Sequence, residues 1–471
     1  MRHIPGENRQ QFTLLPDSIE DYVASDHPVR VIDAFVDSLD VAELGFTKAT
    51  TKDTGRKPYH PGDLLKLYLY GYLNKVTTSR RLEVECHRNL EVRWLMKQLA
   101  PDFKTIADFR KDNASAIRAT SRAFVEFCRD EQLLSKEMFA IDGSKFKAAG
   151  SKDRTVMRRH LKRDRKALEE GIQRYLDQLD QADAADEDME LDPTHVQAVL
   201  EKLKNKQAWL DEAEQAMDDE DKDQHTDTEP DARIMRSGRD GMVLGYNIQS
   251  AVEAQSGLIV HHDVTTDGGD NRQLWSMAKC VREVLRLKTL RVLADAGYSK
   301  GEDLAICEAV GIEASVPKRS KTSSFKDKYQ KQDFTYDKDT NSYTCPAGEK
   351  LAYKYTNYAK QYHQYERTGC DGCAQQSQCT VRETRSITRH LFEDALNRSQ
   401  ARMDADPKLA TLRMSIAERP FGMIKQVLGF RRMSCRGLKG AQTEISLVVL
   451  SYNLKTMMGR IGVAGMLARL A

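Results

Sequence analysis

Residues 416–425 read Ile-Ala-Glu-Arg-Pro-Phe-Gly-Met-Ile-Lys. Glu418 and Lys425 are seven residues apart, nearly two turns of an α-helix. Both therefore project from one helix face, roughly 10 Å apart along the axis. A carboxylate there can hold a divalent metal ion while the lysine reaches a phosphate. A kink is predicted just after the glutamate, because Pro420 disfavours helical geometry at Arg419 and removes one hydrogen bond.

Two further acids lie far upstream at strand-like positions. Asp142 follows the apolar run 138–141, and Asp295 follows the run 290–294. Chemistry in α/β folds is placed at the carboxyl ends of strands, although a lone aspartate there is more often a turn or cap residue. Two strand-end aspartates and a helix glutamate form the ligand set that two-metal phosphodiester chemistry requires.

Other polar residues nearby offer alternatives to this set. Asp263 and Asp270 are the main rivals for a core acid position. Asp270 is better explained as the cap of a helix that begins at residue 271. His261 and His262 resemble catalytic residues, but strand-borne histidines beside an aspartate are more often structural.

Bulk composition limits the class of protein. The chain has 471 residues, 40% of them hydrophobic and 31% charged, which suits a soluble globular protein of two to four domains. The net charge of +2 does not by itself indicate a nucleic-acid partner. We expect no membrane span, because no apolar run approaches about 18 residues. The N-terminal residues lack an apolar signal core, so a cytoplasmic protein is expected.

Residues 1–135 are predicted to form a helical N-terminal DNA-binding domain. Pro61 begins an apolar helix, and short helices with turns follow. Basic side chains in this region suit a helix-turn-helix-like DNA reader: Arg80, Arg81, Arg88, Arg93, Arg110 and Lys111. A small helical bundle with solvated charges is the alternative.

The rest of the chain is predicted to be a mixed α/β sheet core interrupted by two insertions. The core comprises residues 136–150 and 232–317, and C-terminal core helices at 401–471 carry Glu418. Residues 151–231 are predicted to form a charged helical hairpin with an acidic loop at 182–192. Its basic start suits either DNA phosphates or solvent.

The second insertion, residues 318–400, carries four cysteines. They are spaced C-x24-C-x2-C-x5-C: Cys345, Cys370, Cys373 and Cys379. Nine cysteines in a chain without a secretion signal argue against a disulfide framework. The spacing is compatible with a four-thiolate Zn²⁺ site, which would be structural because it leaves no open position. Four free thiols are the alternative.

Several of these stretches together resemble a bacterial insertion-sequence DDE transposase with a ribonuclease-H-like core. The motifs appear in a specific order and spacing, although each is short. They are the N-terminal helices, Ile141-Asp142-Gly143-Ser144-Lys145, Gly245-Tyr246-Asn247-Ile248-Gln249, Ala294-Asp295-Ala296-Gly297-Tyr298, and Glu418-Arg419-Pro420-Phe421-Gly422 with Lys425.

The resemblance implies a reaction. Asp142, Asp295 and Glu418 would gather two Mg²⁺ (or Mn²⁺) ions about 4 Å apart. These ions would promote DNA strand cleavage at the ends of the element and attack of the freed 3′-OH on target DNA. Lys425 would hold a backbone phosphate near the scissile bond, and Arg431 and Arg432 belong to a basic patch after the helix.

The resemblance also implies partners. They are double-stranded DNA, as terminal inverted repeats and as target, and a second copy of the chain on that DNA. No membrane partner is expected, and the place of action is the nucleoid within the cytoplasm. Two alternatives stay open: an inactive transposase-derived DNA-binding protein, and a ribonuclease-H-fold DNA nuclease.

One departure from the family pattern concerns the residues before Glu418. A familiar form of the motif has a tyrosine and then an arginine four residues before the glutamate. Those positions are Thr411 and Met414 here, and Arg413 is the nearest arginine, shifted by one. We therefore expect less of Arg413 than of Glu418 and Lys425.

Overall fold

The structure is a computed structural model that describes residues 18–50, 57–184, 193–238, 240–319, 327–367, 370 and 372–471. Residues 1–17 of the predicted N-terminal domain and residues 185–192 of the predicted acidic loop lie outside these. Its helices are α1 (Pro28–Asp37), α2 (Pro61–Leu73), α3 (Ser79–Arg88), α4 (Leu90–Leu95), α5 (Phe103–Asp112), α6 (Ala114–Asp130), α7 (Arg158–Ala184), α8 (Pro193–Asp219), α9 (Leu274–Leu285), α10 (Gly301–Ala309), α11 (Gln376–Cys379), α12 (Glu393–Ala405), α13 (Lys408–Gly422) and α14 (Gly437–Leu470).

The strands fall into three sheets. They are β1 (Phe139–Lys147), β2 (Thr155–Met157), β3 (Gln224–Thr226), β4 (Arg233–Ser237), β5 (Gly241–Glu253), β6 (Ile259–Thr265), β7 (Leu290–Leu293), β8 (Ile312–Ser315), β9 (Thr335–Asp337), β10 (Ser342–Thr344), β11 (Lys350–Asn357), β12 (Tyr362–Glu366) and β13 (Ser386–His390).

The central sheet has the strand order β6-β5-β1-β7-β8. β5 pairs antiparallel with both β1 and β6, whereas β7 pairs parallel with β1 and β8. Short β4 pairs with the far end of β5, on the same edge as β6, since Gly245 faces Lys147 on one side and Arg233 on the other. The predicted ribonuclease-H-like mixed sheet with a helical N-terminal region is confirmed.

The N-terminal helices start where local chemistry favours a helix start. Pro28 and Pro61 occupy first-turn positions, where a missing backbone N–H costs nothing. The side chains of His27 and His60 accept hydrogen bonds from the backbone of these first turns. Asn89 and Asp102 cap α4 and α5 in the same way.

One hydrophobic core joins the N-terminal helices to the sheet. Helix α14 contacts α1, α2 and α6 on one side and β6 on another. Its central residues Ile445–Leu450 are buried without interruption, as expected of a helix enclosed on all sides. Among the described residues, no helix is long and apolar enough to cross a membrane.

The first insertion is an antiparallel helical hairpin of α7 and α8 with a small core of its own. Leu161 and Leu168 pack there with Leu210 and Met217. Arg165 adds ion pairs to acids of α8.

The second insertion contains a five-stranded antiparallel sheet, β13-β12-β11-β10-β9, which the sequence analysis did not anticipate. Its separate core comprises Phe334, Tyr343, Leu351, Tyr365 and Ile387.

Candidate active site

Asp142 and Asp295 meet at one edge of the central sheet. β7 pairs with β1 only through Phe139 and Ala140, opposite Val292 and Leu293. Continuing this register by two residues places Asp142 opposite Asp295. The prediction that the first strand stops at Asp142 is wrong, because β1 runs on to Lys147 against β5. The site lies where the parallel pairing ends rather than where the strand ends.

Burial and like charge dominate the electrostatics of Asp142. Burial raises the pKa of its carboxyl to about 6, with smaller contributions in the same direction from the nearby carboxylates of Asp295 and Asp270. A hydrogen bond from the Gly143 N–H, 2.8 Å long, and the charge of Arg413 oppose this shift. The Asp142 carboxyl therefore lies among other negatively charged carboxylates, and a bound cation would reduce their mutual repulsion.

Arg413 connects helix α13, which also carries Glu418, to the same edge of the sheet. Nη1 of Arg413 lies 3.5 Å from Oδ2 of Asp142, and its Nη2 lies 4.0 Å from Oε1 of Glu418. The Arg413 side chain is 16% exposed, whereas that of Glu418 is 61% exposed. The structure therefore gives Arg413, from which little was expected, the position between the two predicted acids.

The helix that carries Glu418 runs on past Pro420. α13 continues through Pro420 to Gly422, and the irregularity follows as a π-helical turn, Met423–Val427. Single π-turns inside helices are frequent at functional sites. Lys425 lies within this turn.

Lys425 faces β1. Its Nζ donates to Oγ of Ser144 at 2.7 Å and to the backbone carbonyl of Lys145 at 3.3 Å. The same ammonium lies 4.5 Å from the ring centroid of Phe146.

Asp270 belongs to this site and does not cap a helix, contrary to expectation. α9 starts at Leu274 without a side-chain cap. Oδ1 of Asp270 instead accepts hydrogen bonds from Nδ2 of Asn247 at 2.7 Å and Nε2 of Gln249 at 2.8 Å, and it lies 3.2 Å from Nζ of Lys145. The alternating polar residues of β5 therefore hold an acid beside Asp142.

This polar network continues to Tyr298 and leaves no room beside Gly143. The Tyr298 hydroxyl donates to Oε1 of Gln249 at 2.5 Å. Burial raises the pKa of Tyr298 well above its usual value, and the charges of Asp270, Asp142 and Asp295 act in the same direction. A Cβ at Gly143 would lie 2.5 Å from both Oδ1 of Asp270 and Nε2 of Gln249.

The donor set of the site suits a hard divalent cation. Among the residues that the structure describes, no group of three or more histidine, cysteine, aspartate or glutamate side chains is arranged to hold a metal ion. Asp142 and Asp295 nevertheless present carboxylate oxygens, the ligands that Mg²⁺ prefers. Glu418 is exposed enough to change rotamer, and Arg413 contributes a positive charge among these acids. The residues fit the cation in chemistry, with Glu418 requiring a side-chain rotation.

The basic residues predicted to bind DNA divide into exposed and enclosed ones. Arg80 and Arg81 are exposed, with the Arg80 guanidinium over the Phe103 ring. Arg110 is not: its side chain is 14% exposed, stacks over Tyr68 and lies 3.9 Å from the buried carboxylate of Glu444. The expectation that Arg110 is an exposed DNA contact is wrong.

The basic patch after the π-turn is partly used within the protein. Nε of Arg431 donates to the carbonyl of Lys425 at 3.0 Å. The Arg432 guanidinium donates to the carbonyls of Ala148, Ala149 and Gly150. Both residues remain exposed, but Arg432 also fastens the end of β1.

The four cysteines of the second insertion surround one small cavity of about 20 Å³: Cys345, Cys370, Cys373 and Cys379. All four are free thiols. Burial raises the pKa of Cys379, and the other three sulfurs raise it further. A zinc ion would require the sulfurs to move closer together, because no three of them are arranged as metal ligands.

His261 and His262 are placed as structural residues. Burial lowers the pKa of His261 to about 4 and that of His262 to about 3. Nε2 of His262 lies 2.9 Å from Oγ of Ser446 in α14.

The fold and the site define a class: a ribonuclease-H-like protein with an acidic edge where the central parallel strands end. Comparisons with known families agree. Residues 17–112 match the family described as Transposase domain (DUF772), and residues 344–458 match the family described as Transposase DDE domain. Two parts of the chain thus match transposase families, which agrees with the resemblance seen in its sequence.

Comparisons with individual proteins add little to this. No curated protein matches the chain. A cryo-EM structure of the piggyBac transposase synaptic complex with hairpin DNA aligns over 94% of this chain and 78% of its own, at a TM-score of 0.34 and 8% identity. A TM-score this low supports no conclusion about this chain.

Proposed function

We propose that this transposase binds the ends of the DNA element that encodes it, cuts a strand there, and joins the freed 3′-OH to target DNA. The observation that carries the proposal is the acidic cluster around Asp142: Asp295 is near enough to raise its pKa, and Arg413 lies 3.5 Å from Asp142 and 4.0 Å from Glu418. Exposed Arg80 and Arg81 suit DNA phosphates, which supply much of the affinity of DNA-binding proteins.

Mg²⁺ or Mn²⁺ would be held by Asp142, Asp295 and Glu418. The bound cation would supply activation of the attacking oxygen and stabilisation of the leaving oxygen. Above a pH of about 6 the Asp142 carboxyl is ionised and available as a ligand. Arg413 would stabilise this acidic edge before loading and would move aside when Glu418 turns inward.

The other residues of the site orient the DNA. Lys425, next to Ser144 on β1, would bind a backbone phosphate beside the scissile bond. Asp270 and its amide partners would keep Asp142 in place. The reaction needs no nucleophilic side chain, because water or a DNA hydroxyl attacks.

The proposed function implies where the protein acts and in which oligomeric state. A protein that acts on bacterial DNA works at the nucleoid, in the cytoplasm. Both ends of an element must be handled together, so we propose a homodimer on DNA. Sedimentation with and without end duplex tests this, and a single chain carrying both ends would contradict it.

The function is tested by incubating a labelled duplex that carries the element end with Mg²⁺, using the wild-type chain beside Glu418→Gln. Cleavage by the wild type alone is expected. Equal cleavage by both would remove Glu418 from the site. Binding without cleavage by either protein would favour a transposase-derived DNA-binding protein. Adding a supercoiled target separates joining from hydrolysis, because a nuclease gives cut ends without joined products.

A further inference from the structure

The hairpin formed by β11 and β12 displays aromatic rings to solvent. Tyr353 is 44% exposed, Tyr355 is 43% exposed, and Tyr358 in the turn is 79% exposed. Large apolar groups that are exposed together commonly mark a binding surface. We call the exposed part of residues 350–365 the tyrosine hairpin.

The exposed rings rest on a rigid base. Buried Tyr343 and Tyr365 pack edge to face with centroids 5.1 Å apart, within the core of the second insertion. The ring of Tyr353 contacts that of Tyr365 at 6.0 Å, and Tyr355 contacts Tyr362 at 6.4 Å. Rings held in this way lose little conformational entropy when they bind a partner.

The charge of the tyrosine hairpin has one sign. Residues 350–365 contain three lysines and no acidic residue: Lys350, Lys354 and Lys360. Lys354 forms an ion pair with Glu366 at the end of β12, so the cationic surface lies towards the turn. Tyrosine hydroxyls can donate hydrogen bonds to anionic oxygens.

The turn of the hairpin is attached near the acidic edge of the central sheet. The Gln361 side chain hydrogen-bonds to the Glu302 carboxylate, and the Gln361 carbonyl accepts from the Leu391 N–H at 3.0 Å. Glu302 lies in the first turn of α10, which begins six residues after Asp295. The turn is therefore connected to the start of the helix that follows Asp295 in the chain.

We propose that the tyrosine hairpin binds double-stranded DNA next to the scissile phosphate at the candidate active site. The inference rests on the proposed function and adds a contact surface to it. A two-stranded ribbon fits the major groove of B-form DNA. Lys360 at its turn would meet a phosphate, and the tyrosines would contact sugars and base edges. The positive charge of the hairpin complements a polyanion such as DNA. A surface that binds another protein would more often carry charges of both signs.

The test compares binding of a labelled element-end duplex by the wild-type chain and by the variant Tyr355→Ala/Tyr358→Ala/Lys360→Ala. We expect the variant to raise Kd about tenfold and to lower the salt slope by roughly 1 for the lost lysine. The matched control is Lys338→Ala/Val381→Ala, which removes an exposed cation and an exposed apolar side chain from the same insertion. Its Kd should equal that of the wild type.

Each other outcome overturns the proposal in a distinguishable way. Equal Kd for wild type and hairpin variant overturns the hairpin contact while leaving the proposed function intact. A wild-type chain that binds no duplex overturns both. A variant that changes the oligomeric state at unchanged DNA affinity shows that the surface is an interface between copies. Tyr358→Ala alone, at the most exposed ring, provides a variant that does not disturb folding.

Discussion

Arg413 lies 3.5 Å from the Asp142 carboxylate, although 271 residues separate the two in sequence. This contact joins helix α13 to the central strand β1 and keeps a positive charge beside a carboxyl whose pKa burial raises to about 6. The same guanidinium approaches Glu418. A fixed cation therefore connects two acids that the proposed reaction requires to hold a metal together.

Replacing Arg413 should change the pH dependence of cleavage. Arg413→Ala removes a charge that lowers the pKa of Asp142, so the acidic limb of the pH profile should move up by about one unit. Arg413→Lys should move it less. Profiles of Mg²⁺-dependent cleavage from pH 5 to 9 measure the shift. The control is Arg398→Ala, which removes an exposed ion pair with Glu308; a profile of Arg413→Ala that matches this control would contradict the prediction.

Asp142→Asn should stabilise the protein while abolishing cleavage. The folded pKa of about 6 lies above the ordinary carboxyl value near 4, so the folded state binds the extra proton between these values. Stability is therefore lost as the pH rises through that window, by on the order of 1–3 kcal/mol. Asparagine does not ionise, so the Asp142→Asn variant does not lose this stability. Urea unfolding with a chelator should show the gain at pH 8 and none below about pH 4.

The control for this measurement is Asp339→Asn at an exposed turn, which should change the free energy of unfolding little at either pH. An Asp142→Asn protein that is less stable than the wild type at pH 8 would show that the hydrogen bond to Gly143 and the Arg413 charge outweigh burial. Cleavage by this variant would remove Asp142 from the catalytic set.

Gly143→Ala should disrupt the network around Asp270. The new methyl would lie 2.5 Å from Oδ1 of Asp270 and from Nε2 of Gln249, and these two atoms are hydrogen-bonded to each other at 2.8 Å. We expect a loss of about 1–3 kcal/mol in the free energy of unfolding together with reduced cleavage. Gly171→Ala in α7 meets nothing within 4 Å and should stabilise the protein slightly. Equal stability of the two variants would show that the strand shifts to accommodate the methyl.

The sequence could predict the chemistry of the site because acid spacing and apolar runs are local signals. Asp142 and Asp295 follow short apolar runs, and the strand register places them opposite each other. The role of Asp270 could not be predicted, because its partners Asn247 and Gln249 lie on another strand. A local rule favoured the commoner role of an aspartate before a helix.

Other differences between the sequence-based predictions and the structure also arise from contacts between residues that are distant in the sequence. Arg110 looks solvated in the sequence, and only the packing of α14 against the N-terminal helices brings Glu444 to it. The second insertion gave no strand signal because many of its strands are only three to five residues long, and tyrosines and lysines lie on both faces. Tyr353 and Tyr355 lie two residues apart, which is typical of a strand, but the spacing of three between Tyr362 and Tyr365 breaks this period.

The four cysteines around one cavity predict a structural Zn²⁺ site. The purified chain should contain about one zinc, and removing it should lower Tm because the ion would link three separate turns of the second insertion. Cys370→Ser/Cys373→Ser should lose the metal, whereas Cys280→Ser in α9 should keep it. Elemental analysis measures this. A zinc-free wild type that takes up none during refolding with Zn²⁺ would establish four free thiols.

Substitutions of Arg110 and Arg81 should have different effects. Arg110→Ala should lower stability, whereas Arg81→Ala should weaken DNA binding. Glu444 is fully buried in α14; it accepts from the Tyr72 hydroxyl at 3.1 Å and from the Ser434 N–H at 2.8 Å, and Arg110 supplies the nearest positive charge. Arg110→Ala would leave that carboxylate uncompensated, at a cost of about 3 kcal/mol in the free energy of unfolding.

Arg81→Ala removes an exposed charge, so it should leave stability within about 0.5 kcal/mol of the wild type and weaken duplex binding. Urea unfolding and duplex titration of both variants give the comparison. If Arg110→Ala weakened DNA binding at unchanged stability, the original expectation of a DNA-contacting arginine would be restored. The Glu444 carboxylate accepts hydrogen bonds from the Ser434 and Cys435 N–H groups, which follow Arg431 and Arg432 in the same loop. This loop would then have to open for Arg110 to reach DNA.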